Sequence, residues 1–88
     1  MKLILPRSDI KKQDVLSKVA EGFEKDKEYK EEEVDEILKK LEVDDFILFR
    51  RELVNFGYLG RDPYKSVYWL IKSKLSEEEI KKIGEIWK

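Results

Sequence analysis

The side chains with the greatest chemical reach lie in one stretch, LFRRELVNFGYLGRD, from Leu48 to Asp62. It carries Arg50, Arg51, Asn55 and Arg61, and Lys65 and Lys72 follow closely. A guanidinium grips a phosphate or a carboxylate in a fork of parallel hydrogen bonds, and an asparagine matches the paired donor and acceptor of a base edge. The stretch therefore has three possible tasks. It contacts nucleic acid, it grips a partner protein, or it neutralises acids within its own domain.

Other chemistry is excluded or unsupported by residue type. The chain has no histidine and no cysteine. That removes the usual general base, the commonest metal ligand and all thiolate and disulfide chemistry. The 20 acids run in clusters of the kind that form solvated faces. No glycine-rich phosphate loop and no nucleophile–base pair accompanies them, so an enzyme is not expected. Glu42, Asp44 and Asp45 come nearest to a divalent cation site, but an oxygen cage needs more ordered spacing, and a helix cap explains them better. No metal and no cofactor is expected.

These residues have to be positioned by a small scaffold. A length of 88 residues suits one domain over positions 1–88. Charged residues make up 44% of it, against about a quarter in an average protein. The hydrophobic share, 41%, is ordinary, which implies a folded core under a heavily solvated surface. The opening MKLILP is too short for a signal peptide, and no run reaches membrane-spanning length. No membrane association and a cytoplasmic location are expected. Net charge is −1, so no global positive field draws in nucleic acid, yet the charge is uneven. It is +3 over residues 1–20, −7 over 21–45, +4 over 46–75 and −1 over 76–88.

Ser8 or Asp9 caps a first helix with Leu16, Ala20 and Phe23 on one face and Val15 and Val19 beside them. Gly22 and the charged run Glu24–Glu28 end it. In YKEEEVDEILKKLE, residues Val34, Ile37, Leu38 and Leu41 follow the spacing of an amphipathic helix. Glu31, Glu32 and Glu33 crowd its first turn and Lys39 and Lys40 its last, as the helix dipole favours. Asp44 or Asp45 caps a third helix with the stripe Phe46, Phe49, Leu53 and Phe56, and Gly57 closes it. YLGRD and SVYWLIK then read as strands, joined by a type I turn at Asp62-Pro63-Tyr64-Lys65. Ser76 to Glu79 form a capping box for a last helix, whose face is Ile80, Ile83 and Trp87 with Ile86 beside it. Tyr29 offers a short strand between the first two helices. The expectation is a mostly helical α+β fold, a winged helix-turn-helix of three helices, a β-hairpin wing and a C-terminal helix.

Two blocks of this sequence resemble a known family. The first is Tyr29, Glu31, Glu33, Val34, Asp35, Ile37 and Leu38. The second is Arg50, Arg51, Leu53, Val54, Asn55, Gly57, Leu59 and Arg61, with Tyr68 beyond it. Together they are similar to the domain-of-unknown-function 2087 family of bacterial proteins, over roughly residues 29–69. Lys30 stands where that family tends to have a Ser or Thr cap, Asp35 where it has Asn, and Phe49 where it has Leu. The turn Pro63 to Ser66 lacks the family's glycine. The resemblance implies a winged-helix-like fold and a setting in bacterial transcription regulation, and it carries no assigned activity.

Helical projection separates the two arginines. With the stripe of the third helix as the core direction, Arg50 lies about 90° off it and Arg51 roughly opposite. Neither has an acid three or four residues away on its own helix. Glu31 and Glu33 flank the stripe of the second helix and are the expected structural partners of Arg50. Arg51, Asn55, Arg61, Lys65 and Lys72 are the expected surface for duplex DNA. Ile47 and Val54 lie beside Arg51, so the same face alternatively serves a protein partner or self-association, with Trp69 and Trp87 as anchors if they are not core.

Overall fold

A computed structural model describes residues 2–74 and 77–86, and all side chains among these except those of Ile80 and 83–86. The elements run α1 (Asp9–Ala20), β1 (Glu28–Lys30), α2 (Glu31–Lys40), α3 (Phe46–Asn55), β2 (Leu59–Asp62), β3 (Val67–Leu70) and α4 (Glu77–Ile86). This is a small α+β fold, with four helices and a three-stranded antiparallel sheet among the described residues.

The helix ends explain their own positions. The Ser8 hydroxyl accepts from the Lys11 amide at 3.5 Å and opens α1. Asp45, not Asp44, caps α3, its Oδ1 accepting from the Leu48 amide at 3.1 Å. At the start of α2, Lys30 has no acceptor to offer. Only half of a capping box forms there, as the Lys30 amide donates to Glu33 Oε1 at 3.0 Å. Both α2 and α3 end in the same pair of backbone hydrogen bonds. In α3 the Gly57 amide donates to Val54 O at 3.1 Å and the Tyr58 amide to Leu53 O at 2.9 Å, with Gly57 at a φ of +81°. In α2, Glu42 takes the left-handed position at a φ of 59°, and the buried Val43 follows it.

The strand order is β1-β3-β2. Tyr29 faces Tyr68 across one ladder and Arg61 faces Tyr68 across the other, so the three side chains form one row on the sheet. The hairpin between β2 and β3 closes one residue later than the expected type I turn. Ser66 donates to Asp62 O at 2.8 Å, and Asp62 Oδ1 takes the amides of Tyr64 and Lys65. Ser66 adopts the left-handed φ of 56° there, where a glycine would sit without strain.

The core gathers Leu16, Val19 and Ala20 of α1, Val34 and Leu38 of α2, Phe49 and Leu53 of α3, and Tyr29, Leu59 and Tyr68 of the sheet. Tyr58 is wholly buried between α1 and α3, and its hydroxyl donates to Gln13 Oε1 at 2.9 Å. Leu3 straps the α2–α3 turn from outside, forming a parallel bridge with Val43. Trp69 lies on the outer face of the sheet, 36% exposed, with its indole over Gly60. The expected capping box at Ser76 and the apolar face of Ile80, Ile83, Ile86 and Trp87 lie outside the described residues or side chains.

Candidate functional site

The stripe of α3 that faces away from the core is Ile47, Arg51 and Asn55, each four residues from the last and all exposed. Val54 lies half-buried beside them. β2 reaches the same side of the molecule through Arg61. Between them opens a cleft of about 660 Å³, lined by Arg50, Arg51, Asn55 and Arg61, by Ile47 and Val54, and by Glu31, Glu52 and Tyr68. Three of the site residues expected from the sequence, Arg51, Asn55 and Arg61, thus share one concavity with Arg50.

Arg50 forms the floor. Its Nη1 is hydrogen-bonded to Asp35, and its Nη2 lies 3.7 Å from Glu31 Oε1. Burial opposes its charge, but the hydrogen bond and negative charge of Asp35, helped by Glu31, outweigh burial and raise its pKa. The expected partner Glu33 is not part of this tie, because its carboxylate turns back to the Lys30 amide. The reason is angular. Glu31 and Glu33 lie on opposite flanks of α2, and only the flank of Glu31, which Asp35 shares one turn later, faces α3.

The network continues across the sheet. The Tyr68 hydroxyl donates to Glu31 Oε1 at 3.0 Å, and the Arg61 guanidinium lies over the Tyr68 ring, 5.7 Å from its centroid. Burial, and then the bond to Glu31, push the Tyr68 pKa up against the opposing pull of Arg61 and Arg50. Asp35, Arg50, Glu31, Tyr68 and Arg61 thereby form one continuous chain of contacts, of which all but Asp35 line the cleft. Among the described residues Arg51 forms no ion pair, and the one aromatic or ionic contact of Arg61 is with Tyr68. Glu52 leans to the α1 side, with Oε2 4.0 Å from Lys12 Nζ.

Two of the expected contact residues stand apart. Lys65 is exposed on the hairpin turn and does not line the cleft. Lys72 pairs with Glu79 of α4, and its aliphatic stem lies near Gly57. A lysine already matched to a carboxylate is a poor phosphate contact. Tyr68 and Asp35 are the site residues that sequence reasoning gave no role. Among the described residues no group of three or more acid, histidine or cysteine side chains gathers as a metal ion needs, and no helix is long and apolar enough to cross a membrane.

A family model described as "Uncharacterized protein conserved in bacteria (DUF2087)" matches residues 4–70, a span that contains every residue of the cleft. No curated protein and no solved structure matches the chain.

Proposed function

The chain belongs to this family of uncharacterised bacterial proteins, and from that premise we propose that it is a winged-helix domain of the transcription-regulator type, binding duplex DNA through α3 and the β2–β3 hairpin. The order of elements supports the fold, with β1 between α1 and α2 and a hairpin directly after α3. The observation that carries the function is the convergence of Arg51, Asn55 and Arg61 on one open cleft, with neither arginine matched to an acid of a described residue. Arg51 and Asn55 have base-edge chemistry, and exposed Ile47 suits a thymine methyl. Arg61 on the hairpin meets the phosphate backbone, while Lys65 on the turn meets the next phosphate. Glu32 and Glu36 are exposed on α2 and repel phosphates, so the duplex approaches from the α3–hairpin side.

The experiment is a titration of the labelled protein with duplex DNA at several salt concentrations, followed by backbone amide shifts. Binding predicts shifts on α3 and the hairpin, with log affinity falling against log salt at a slope of about −2 for two phosphate contacts. No shifts at the lowest salt overturn the proposal. One observation favours a second reading. Ile47 is 57% exposed next to Val54, a composition that suits a protein partner or a second copy of the chain. Shifts on α3 that grow with protein concentration in the absence of DNA support that reading instead.

A further inference from the structure

Two acids line a cleft otherwise suited to hold negative charge, and while Glu52 leans away to Lys12, Glu31 stays among the cations. Its Oε1 lies 3.7 Å from Arg50 Nη2 and accepts from the Tyr68 hydroxyl at 3.0 Å. Its side chain is 47% exposed. The tie that fixes Arg50 does not depend on it, because Arg50 Nη1 is bonded to Asp35, whose side chain is 22% exposed. The Glu31 carboxylate thus sits between a guanidinium and a tyrosine hydroxyl, with the Arg61 guanidinium over the same tyrosine ring at 5.7 Å. These are the partners a phosphate oxygen seeks.

We infer that this position is an oxyanion seat, made by Arg50 Nη2 and the Tyr68 hydroxyl with Arg61 beside it on the tyrosine ring, and that Glu31 is its internal occupant, displaced by an incoming phosphate. The inference rests on the DNA-binding reading for its source, a backbone phosphodiester, while the same chemistry accepts a free phosphate. Glu31 is the first residue of α2, where the helix dipole favours its charge whether it points into the cleft or into water. Turning outward therefore gives up the contacts with Arg50 and Tyr68 but keeps the favour of the dipole. A site that is filled by its own side chain binds with an affinity reduced by the fraction of time it stands open. Removing the charge of Glu31 lifts that reduction.

The test compares the 88-residue chain with its Glu31→Gln and Glu32→Gln variants, titrated with inorganic phosphate and with duplex DNA. Arginine side-chain Nε–Hε signals and the Tyr68 ring signals report the seat. Glutamine keeps the size of Glu31 and an acceptor for Tyr68. Glu32 is exposed in the same turn and does not line the cleft, so its variant changes net charge alone. Glu31→Gln is expected to bind both probes about fivefold more tightly than the wild type, and Glu32→Gln less than about twofold. Adding Tyr68→Phe to Glu31→Gln is expected to return most of that gain. Equal gains from the two single variants, or no phosphate-induced shift at Arg50, Arg61 and Tyr68, overturn the inference. Phosphate binding that responds to Glu31→Gln without any DNA binding keeps the seat and overturns the DNA reading. DNA binding on α3 and the hairpin that is equal in all variants does the reverse.

Discussion

On one side of α3, Phe49 and Leu53 are buried and Arg50 is tied to Asp35 and Glu31 of α2. On the other side, Ile47, Arg51 and Asn55 stand in solvent at the mouth of a cleft. Arg50 and Arg51 are adjacent and chemically identical, yet about 100° of helical rotation gives them different neighbours. Arg50 meets carboxylates that sit on the facing flank of α2 and becomes part of the fold. Arg51 meets none among the described residues and remains a free guanidinium at the surface. A cluster of like charges in a sequence is thus no unit of function until its angular positions are known.

The comparison predicts a graded set of stability losses, readable in urea denaturation. Leu53→Ala empties a fully buried site and is expected to cost about 3 kcal/mol. A loss under about 1 kcal/mol would break the claim that this side of the helix is core. Arg50→Met leaves the half-buried Asp35 without its partner and is expected to cost about 2 kcal/mol. Adding Asp35→Asn recovers part of that cost, and strict additivity of the two substitutions would mean that the pair is not coupled.

Tyr58→Phe removes a buried hydroxyl bond and leaves Gln13 Oε1 short of a donor, for about 1.5 kcal/mol. Tyr58 also gives the inward side a pH signature. Burial, with smaller contributions from Glu79 and Asp14, pushes its pKa up to about 12, above the unfolded value near 10. A raised folded pKa means that its stabilising contribution is complete below pH 10 and is lost as pH climbs from about 10 through about 12. Urea midpoints measured across that range should fall in the wild type and fall less in Tyr58→Phe. Gly57→Ala forces a Cβ into the left-handed region and is expected to cost about 1 kcal/mol. The added methyl would meet only Lys72 at 3.8 Å, an ordinary contact, so the cost is conformational.

Arg51→Ala closes the series, with a stability change within about 0.5 kcal/mol. Its effect belongs to binding: about a tenfold loss of DNA affinity with relaxed base preference, and a salt slope that stays near that of the wild type because Arg61 and Lys65 keep the phosphate contacts. A large stability loss in Arg51→Ala would erase the distinction between the two arginines.

The local signals of this sequence are legible because they act locally. The acids and lysines at the two ends of α2 sit where the dipole favours them, and Asp45 and Gly57 bracket α3 by their own hydrogen bonds and dihedral preferences. Tyr29 marked β1 by its residue type alone. The partner of Arg50 was only half legible. Projection identified the flanks of α2 but not which flank α3 would cover, and Glu33 was needed at the Lys30 amide. The i, i+4 pair Glu31 and Asp35 was the available signal, since two acids on one flank make that flank the better match for a cation. Tyr68 as a site residue depended on strand register, which pairs it with Arg61, and the pairing of Lys72 with Glu79 depended on the docking of a separate helix. Neither is encoded within a short window.

The central place of β3 in the sheet has a further consequence for how the molecule assembles. The β2–β3 hairpin is a short-range structure of a kind that forms in about 1–10 µs. β1 reaches β3 only after the chain between them, including α2 and α3, has folded back on itself. The ladder from Tyr29 to Tyr68 is therefore the clasp of a closed ring of chain, and loop-closure entropy places it late. Substitutions in β1 should speed unfolding more than they slow folding. The cleft draws Glu31 from one side of the clasp and Arg61 from the other, so it comes into being in the same late step.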